Sequence, residues 1–174
     1  MKRQIRRGTF ETNSSSTHAI CITKSDIDKN ILPKHITFTH GEFGWEFDVH
    51  EDSWTKASYL YQAICDTSDG IEKQEKLDKI KNLLGAYGVS CEFTPDQNKY
   101  DDGYIDHSNE TDELIAELLR DGEKLVRYLF GDSFIVTGND NGDAFDNYMR
   151  GEDSDWNSPL LPKFNDYEII EKGN

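Results

Sequence analysis

Basic charge is scarce in this sequence: 19 lysines and arginines stand against 34 aspartates and glutamates in 174 residues, a formal net charge of −15. A protein that grips duplex nucleic acid by neutralising phosphates carries the opposite balance, so a simple duplex binder is not expected. Long apolar runs are missing as well. No stretch approaches the roughly 18 residues of a membrane span, and Met1-Lys2-Arg3-Gln4 leads into charged residues without the apolar core of a signal peptide. The expected setting is therefore the cytoplasm, with no membrane partner. Cysteine is limited to Cys21, Cys65 and Cys91, odd in number, widely separated and each beside apolar residues; that pattern fits reduced core thiols better than disulfides or a zinc site. GxxxxGK[ST], GxGxxG after a strand and CxxC do not occur, and His35, His40, His50 and His107 lack HxxxH spacing. The familiar nucleotide, redox and metal-histidine motifs are thus missing, and the expectation is no cofactor and no metal.

What is present suffices for a modest core. Leu, Ile, Val and Phe make up 39 of the 174 residues, just above the roughly 20% below which a highly charged chain is expected to stay disordered. The length fits one domain, residues 1–174, with flexible acidic loops at 95–109 and 138–157. Residues 4–12 and 19–23 read as strands joined by a polar turn, Asn13–His18. The alternation of Ile36 and Phe38, then Phe43, Trp45, Phe47 and Val49, with Gly41 and Gly44 between, reads as a second hairpin. A helix begins at Ser53 as N-cap, with Trp54, Ala57, Leu60 or Tyr61 and Ile64 as its apolar stripe. Asp69 and Glu72 have capping-box spacing before Leu77, Ile80, Leu84 and Tyr87. After a strand at Val89–Phe93, Thr111 caps a stripe of Leu114, Ile115, Leu118 and Leu119, interrupted by Gly122 before Leu125, Val126 and Leu129. Phe134–Thr137 and Tyr167–Ile170 read as closing strands. The class is α+β: an antiparallel sheet built from N-terminal hairpins, with three to four helices on one face.

Charge is polarised along the chain. Residues 1–24 carry +4, residues 25–94 carry −6 and residues 95–174 carry −13. Two groups of candidate functional residues follow. The acidic loops present Asp101, Asp102, Asp140, Asp143, Asp146, Glu152, Asp153 and Asp155, which together with nearby tyrosines suit a basic protein groove that otherwise holds nucleic acid. Asp140, Asp143 and Asp146 also offer oxygen ligands to a loose divalent-cation site, although the register lacks the leading Asp and the final Glu of an EF-hand. The basic N-terminal strand presents Arg3, Arg6 and Arg7, followed by Asn13, Ser14, Ser15, Ser16 and His18, donors suited to a phosphate or a nucleic acid. The plainer alternative is a hairpin loop whose amide and hydroxyls satisfy the turn. Nucleophilic catalysis lacks a glycine-flanked serine elbow and a group that orients His18.

The stretches RRGTFETNSSSTH (6–18), HGEFGWEF (40–47) and SFIVTGNDNGD (133–143) resemble small proteins carried by phages and mobile elements of gut bacteria. Some members of that group inhibit CRISPR–Cas9. The resemblance implies a non-enzymatic protein that binds a Cas9-type effector or its guide RNA complex and blocks target DNA binding or cleavage, with no catalytic residues to carry over. Two readings compete with it. One is a small phosphate- or nucleotide-binding protein or enzyme that uses the Asn13–His18 loop; the other is a phage structural or assembly protein. The basic strand also suits a homodimer in which it meets an acidic face.

Overall fold

The computed structural model describes residues 16–44, 46–96, 103–106, 111–139, 143–150 and 164–172. Their elements run β1 (Ser16–Thr23), β2 (His35–Phe38), β3 (Glu42–Phe43), β4 (Asp48–His50), α1 (Ser53–Thr67), α2 (Gly70–Gly85), β5 (Ser90–Phe93), β6 (Tyr104–Ile105), α3 (Asp112–Arg120), α4 (Gly122–Phe130), β7 (Phe134–Asn139), α5 (Asp143–Arg150) and β8 (Tyr167–Lys172). The α+β class stands. One four-stranded sheet, ordered β4-β7-β1-β8, is antiparallel throughout.

The strand pairing differs from the hairpin expectation. β1 lies between β7 and β8, so its partners come from the last third of the chain; the expected partner strand, residues 4–12, lies outside the described residues. The second hairpin does not form among the described residues. β2 pairs in parallel with β5, and β3 in parallel with β6. The backbone around Gly41 explains the switch: its carbonyl accepts the Tyr104 N–H at 3.1 Å, which engages the presumed hairpin turn with a segment from beyond α2.

The sheet is covered on two faces, not one. Because side chains alternate along a strand, β1 sends Ile20 and Ile22 to one side, where they join Leu60, Ile64, Leu125, Leu129 and their neighbours in the larger core. Ala19 and Cys21 go to the other side, where Phe134, Val136 and, from α5, Tyr148 and Met149 pack. The 138–157 connection, read as an acidic loop, thus contains a helix. An Asn/Asp-rich sequence hides it because few of its residues are apolar, and packing on the sheet supplies what local propensity lacks.

α1 runs through the middle of the larger core, and every residue from Lys56 to Ile64 is buried. It contacts α2, α3, α4, β2 and β6. Each fully buried Leu or Ile along it contributes roughly 1.5–3 kcal/mol relative to exposure. Trp54, expected on the stripe, is 63% exposed at the helix's first turn. The cap is Asp52, whose carboxylate accepts the Thr55 N–H at 2.8 Å, and not Ser53. Asp69 occupies the N-cap of α2 but makes no side-chain cap hydrogen bond, so the expected capping box is not built. The Thr111 stripe resolves into two short helices, α3 and α4, that meet at Asp121. All three cysteines are free thiols; Cys21 is buried, whereas Cys65 and Cys91 are partly buried.

Candidate functional site

Two hollows adjoin along one side of the molecule. The larger, about 780 Å³, lies between the C-terminal half of α1, the start of α2 and the segments flanking β5 and β6. Helical spacing builds its floor: Gln62 and Asp66 stand four residues apart on α1, and the Gln62 amide donates to the Asp66 carboxylate at 2.7 Å. The second oxygen of Asp66 accepts the Ile105 N–H at 2.8 Å, tying β6 to α1. Gln62 Oε1 then faces His40 Nδ1 at 3.0 Å and the Gly41 N–H at 3.4 Å.

The opposite wall is a charged cluster. Lys73 donates to both oxygens of Asp96, at 2.7 and 2.9 Å, and its ammonium lies 5.5 Å from the centre of the Tyr61 ring. The Lys73 hydrogen bond holds the Asp96 carboxyl below its ordinary range. Burial works against the Lys73 ammonium, but the hydrogen bonds and charges of Asp96 and Cys65 together outweigh it and the pKa is raised. Burial pushes the Cys65 thiol up, over the opposing pull of Lys73 and Tyr61. Ligand atoms of His40, Cys65 and Asp96 all lie within 4.8 Å of one another. The trio superficially resembles a nucleophile, base and acid, but a raised thiol is the reverse of an activated one.

The smaller hollow, about 350 Å³, is lined by Glu42, Glu46 and Asp48 beside Phe43 and His50. Burial lowers the His50 pKa, against the pull of Asp48 and Asp52. Tyr104, 52% exposed, borders both hollows. Across the two, seven carboxylates (Glu42, Glu46, Asp48, Asp66, Asp69, Glu72, Asp96) accompany one lysine, Lys73. Gly103 positions Tyr104: at φ +76° it presses its Cα face against the Gly41 backbone, where an added Cβ would lie 2.3 Å from the carbonyl oxygen.

The residues singled out from sequence fall differently. Asp101, Asp102, Asp140, Glu152, Asp153 and Asp155 lie outside the described residues, as do Arg3, Arg6, Arg7, Asn13, Ser14 and Ser15. Asp143 and Asp146 belong to α5. Ser16 and His18, read as part of a turn, instead begin β1 and are buried. Ser16 Oγ donates to the Asp106 carbonyl at 3.0 Å, and the His18 ring meets the Tyr59 hydroxyl at 2.9 Å and the Gly44 carbonyl at 3.2 Å. Both side chains are used in holding the fold. The sequence reading missed His40, Cys65 and Asp96 and the part that Glu42, Glu46 and Asp48 play in the acidic face, although it named the 95–109 loop that carries Tyr104. No local spacing joins positions 40, 65 and 96, while the placement of Asp101-Asp102 just before Gly103-Tyr104 was the one available signal for the face around Tyr104.

No protein-family model, curated protein or solved structure matches the chain. Among the described residues, no helix is long and apolar enough to cross a membrane.

Proposed function

We propose that this chain is a non-enzymatic inhibitor that acts in the bacterial cytoplasm by occupying a basic, nucleic-acid-binding groove of a Cas9-type effector or its guide complex. The observation that carries the reading is the acidic face around Tyr104, with seven carboxylates in two adjoining hollows and a half-exposed aromatic ring between them. A groove built for phosphates attracts such a face over long range, and the attraction speeds encounter and weakens with salt. Tyrosine at the centre of a polar patch is a common energetic anchor of protein interfaces, because it buries apolar area while retaining a hydroxyl. The chain continues the same charge into Asp101 and Asp102, directly before Gly103. The motif resemblance of residues 6–18, 40–47 and 133–143 names the effector class.

The test is a binding measurement between the purified chain and a purified Cas9–guide complex across a salt series. Association at low salt that weakens as salt rises is expected, with Tyr104→Ala and the triple reversal of Glu42, Glu46 and Asp48 to Lys each weakening it at least tenfold. Reversal of Glu75 and Asp78, on the exposed face of α2, should change little. Absence of association at low salt removes the proposal.

A further inference from the structure

We propose that His40 Nε2, Cys65 Sγ and the Asp96 carboxylate form a three-ligand site for a zinc-class divalent cation, its fourth position open to the larger hollow. This inference does not depend on the inhibitor reading.

The argument begins with which ring nitrogen of His40 carries hydrogen. The Asp66 carboxylate only accepts, so the Gln62 amide nitrogen faces it, and Gln62 Oε1 is left facing Gly41 N–H and His40 Nδ1. An amide oxygen only accepts, so Nδ1 is the protonated nitrogen and donates. In the neutral ring Nε2 therefore holds a lone pair. That atom is buried and has no hydrogen bond of ordinary geometry among the described residues, and it lies 3.4 Å from Asp96 Oδ1. A lone pair facing a carboxylate is unfavourable unless a positive centre, a proton or a metal ion, lies between them. The same space is bordered by the Cys65 sulfur, all three ligand atoms lying within 4.8 Å of one another.

One nitrogen, one sulfur and one oxygen form a donor set that suits zinc and cobalt(II), and three protein ligands with an open fourth position is the arrangement of accessible zinc sites. A tetrahedral ion with bonds of about 2.0–2.3 Å spaces its ligand atoms about 3.5 Å apart. The His40–Asp96 pair already has that spacing, at 3.4 Å, and the separations from Cys65, within 4.8 Å, need only a small closure on loading. The Gln62 carbonyl is the outer partner that metal-bound histidines ordinarily have on their other nitrogen, fixing tautomer and ring orientation. Lys73 is the competitor: its ammonium sits on Asp96 and also hydrogen-bonds Cys65, and the ion must displace it from both while Cys65 gives up its thiol proton to solvent.

The experiment titrates the full chain, reduced and free of chelator, first with Co²⁺ and then with Zn²⁺. One equivalent of Co²⁺ should produce the visible bands of a four-coordinate site and a near-ultraviolet sulfur-to-cobalt charge-transfer band, both bleached by Zn²⁺. Cys65→Ser should lose the charge-transfer band, while Cys91→Ser should retain it. Gln62→Leu should weaken binding about 10–100-fold as the loss of an outer partner, and Lys73→Met should tighten it. A wild-type chain without a charge-transfer band at excess Co²⁺ leaves His40 and Asp96 as an ion pair and overturns the proposal. A band that survives Cys65→Ser overturns it equally. The near-isosteric Cys65→Ser and the wild-type titration decide the matter even if Gln62→Leu fails to fold.

Discussion

The imidazole of His18 and the phenol of Tyr59 meet in the core with Nδ1 2.9 Å from the hydroxyl oxygen, joining the first described strand to the central helix. Tyr59 is fully buried, packs edge-on to Phe43, and has its pKa raised far above the ordinary value by that burial. The contact gives the NSSSTH stretch a structural role at its last residue. Tyr59→Phe keeps the ring and removes one partner of the imidazole, so it should cost about 1–3 kcal/mol, the ordinary price of a lost buried hydrogen bond. Chemical denaturation measures this, and a loss under a few tenths of a kcal/mol would show the contact to be dispensable.

Gly103 and Gly88 share φ +76°, but their surroundings differ. A Cβ on Gly103 meets the Gly41 carbonyl, whereas nothing lies within 4 Å of one on Gly88. Gly88→Ala should therefore carry only backbone strain, about 1–3 kcal/mol. Gly103→Ala should cost more and also dislodge Tyr104 from the acidic face. Equal losses of stability in the two variants would refute the close approach.

Helix caps offer a paired comparison. The Asp52 carboxylate accepts the Thr55 N–H, and Asp69 makes no equivalent bond at the start of α2. Asp52→Ala should lower stability by about 0.5–2 kcal/mol, as the loss of an N-cap does, while Asp69→Ala should be near neutral. Thermal melts of the two variants check the ranking, and a larger effect at Asp69 would reverse the assignment.

The helices were legible because their signal is periodic. Leu114, Ile115, Leu118 and Leu119, then Leu125, Val126 and Leu129, recur at three- and four-residue steps and are all buried. β3 and β6 were not legible as a pair: two residues carry no period, and their parallel register depends on Gly41 and Gly103 touching across 62 positions of sequence. Polar residues misled in the same way. Ser16 and His18 look like turn residues until the Asp106 carbonyl, the Tyr59 hydroxyl and the Gly44 carbonyl are seen to satisfy them inside the fold. Of the candidate site, the acidity was visible and the His40–Cys65–Asp96 grouping was not, since each member comes from a different segment.

Lys56 supplies a prediction in pH. Its ammonium, in the middle of the molecule, donates to the Gly131 carbonyl at 3.0 Å and the Ser133 carbonyl at 2.7 Å, just past the end of α4. Burial pushes its pKa down to about 8, against the pull of Asp52, Asp132 and Glu51. The unfolded chain, with an ordinary lysine, then binds more protons than the native one between about pH 8 and the unfolded value near 10.4. Stability contributed by this group accordingly rises with pH through that window, by about 3 kcal/mol in full, because neutralisation removes a buried charge. Tyrosines and cysteines titrate nearby, so the informative quantity is the stability difference between the wild-type chain and Lys56→Met, in which those contributions cancel. That difference should shift toward the wild type as pH rises from 8 to 10.5. A flat difference across the window would mean that Lys56 ionises in the native state as it does in water, and that its two carbonyl partners, together with the nearby carboxylates, fully compensate its burial.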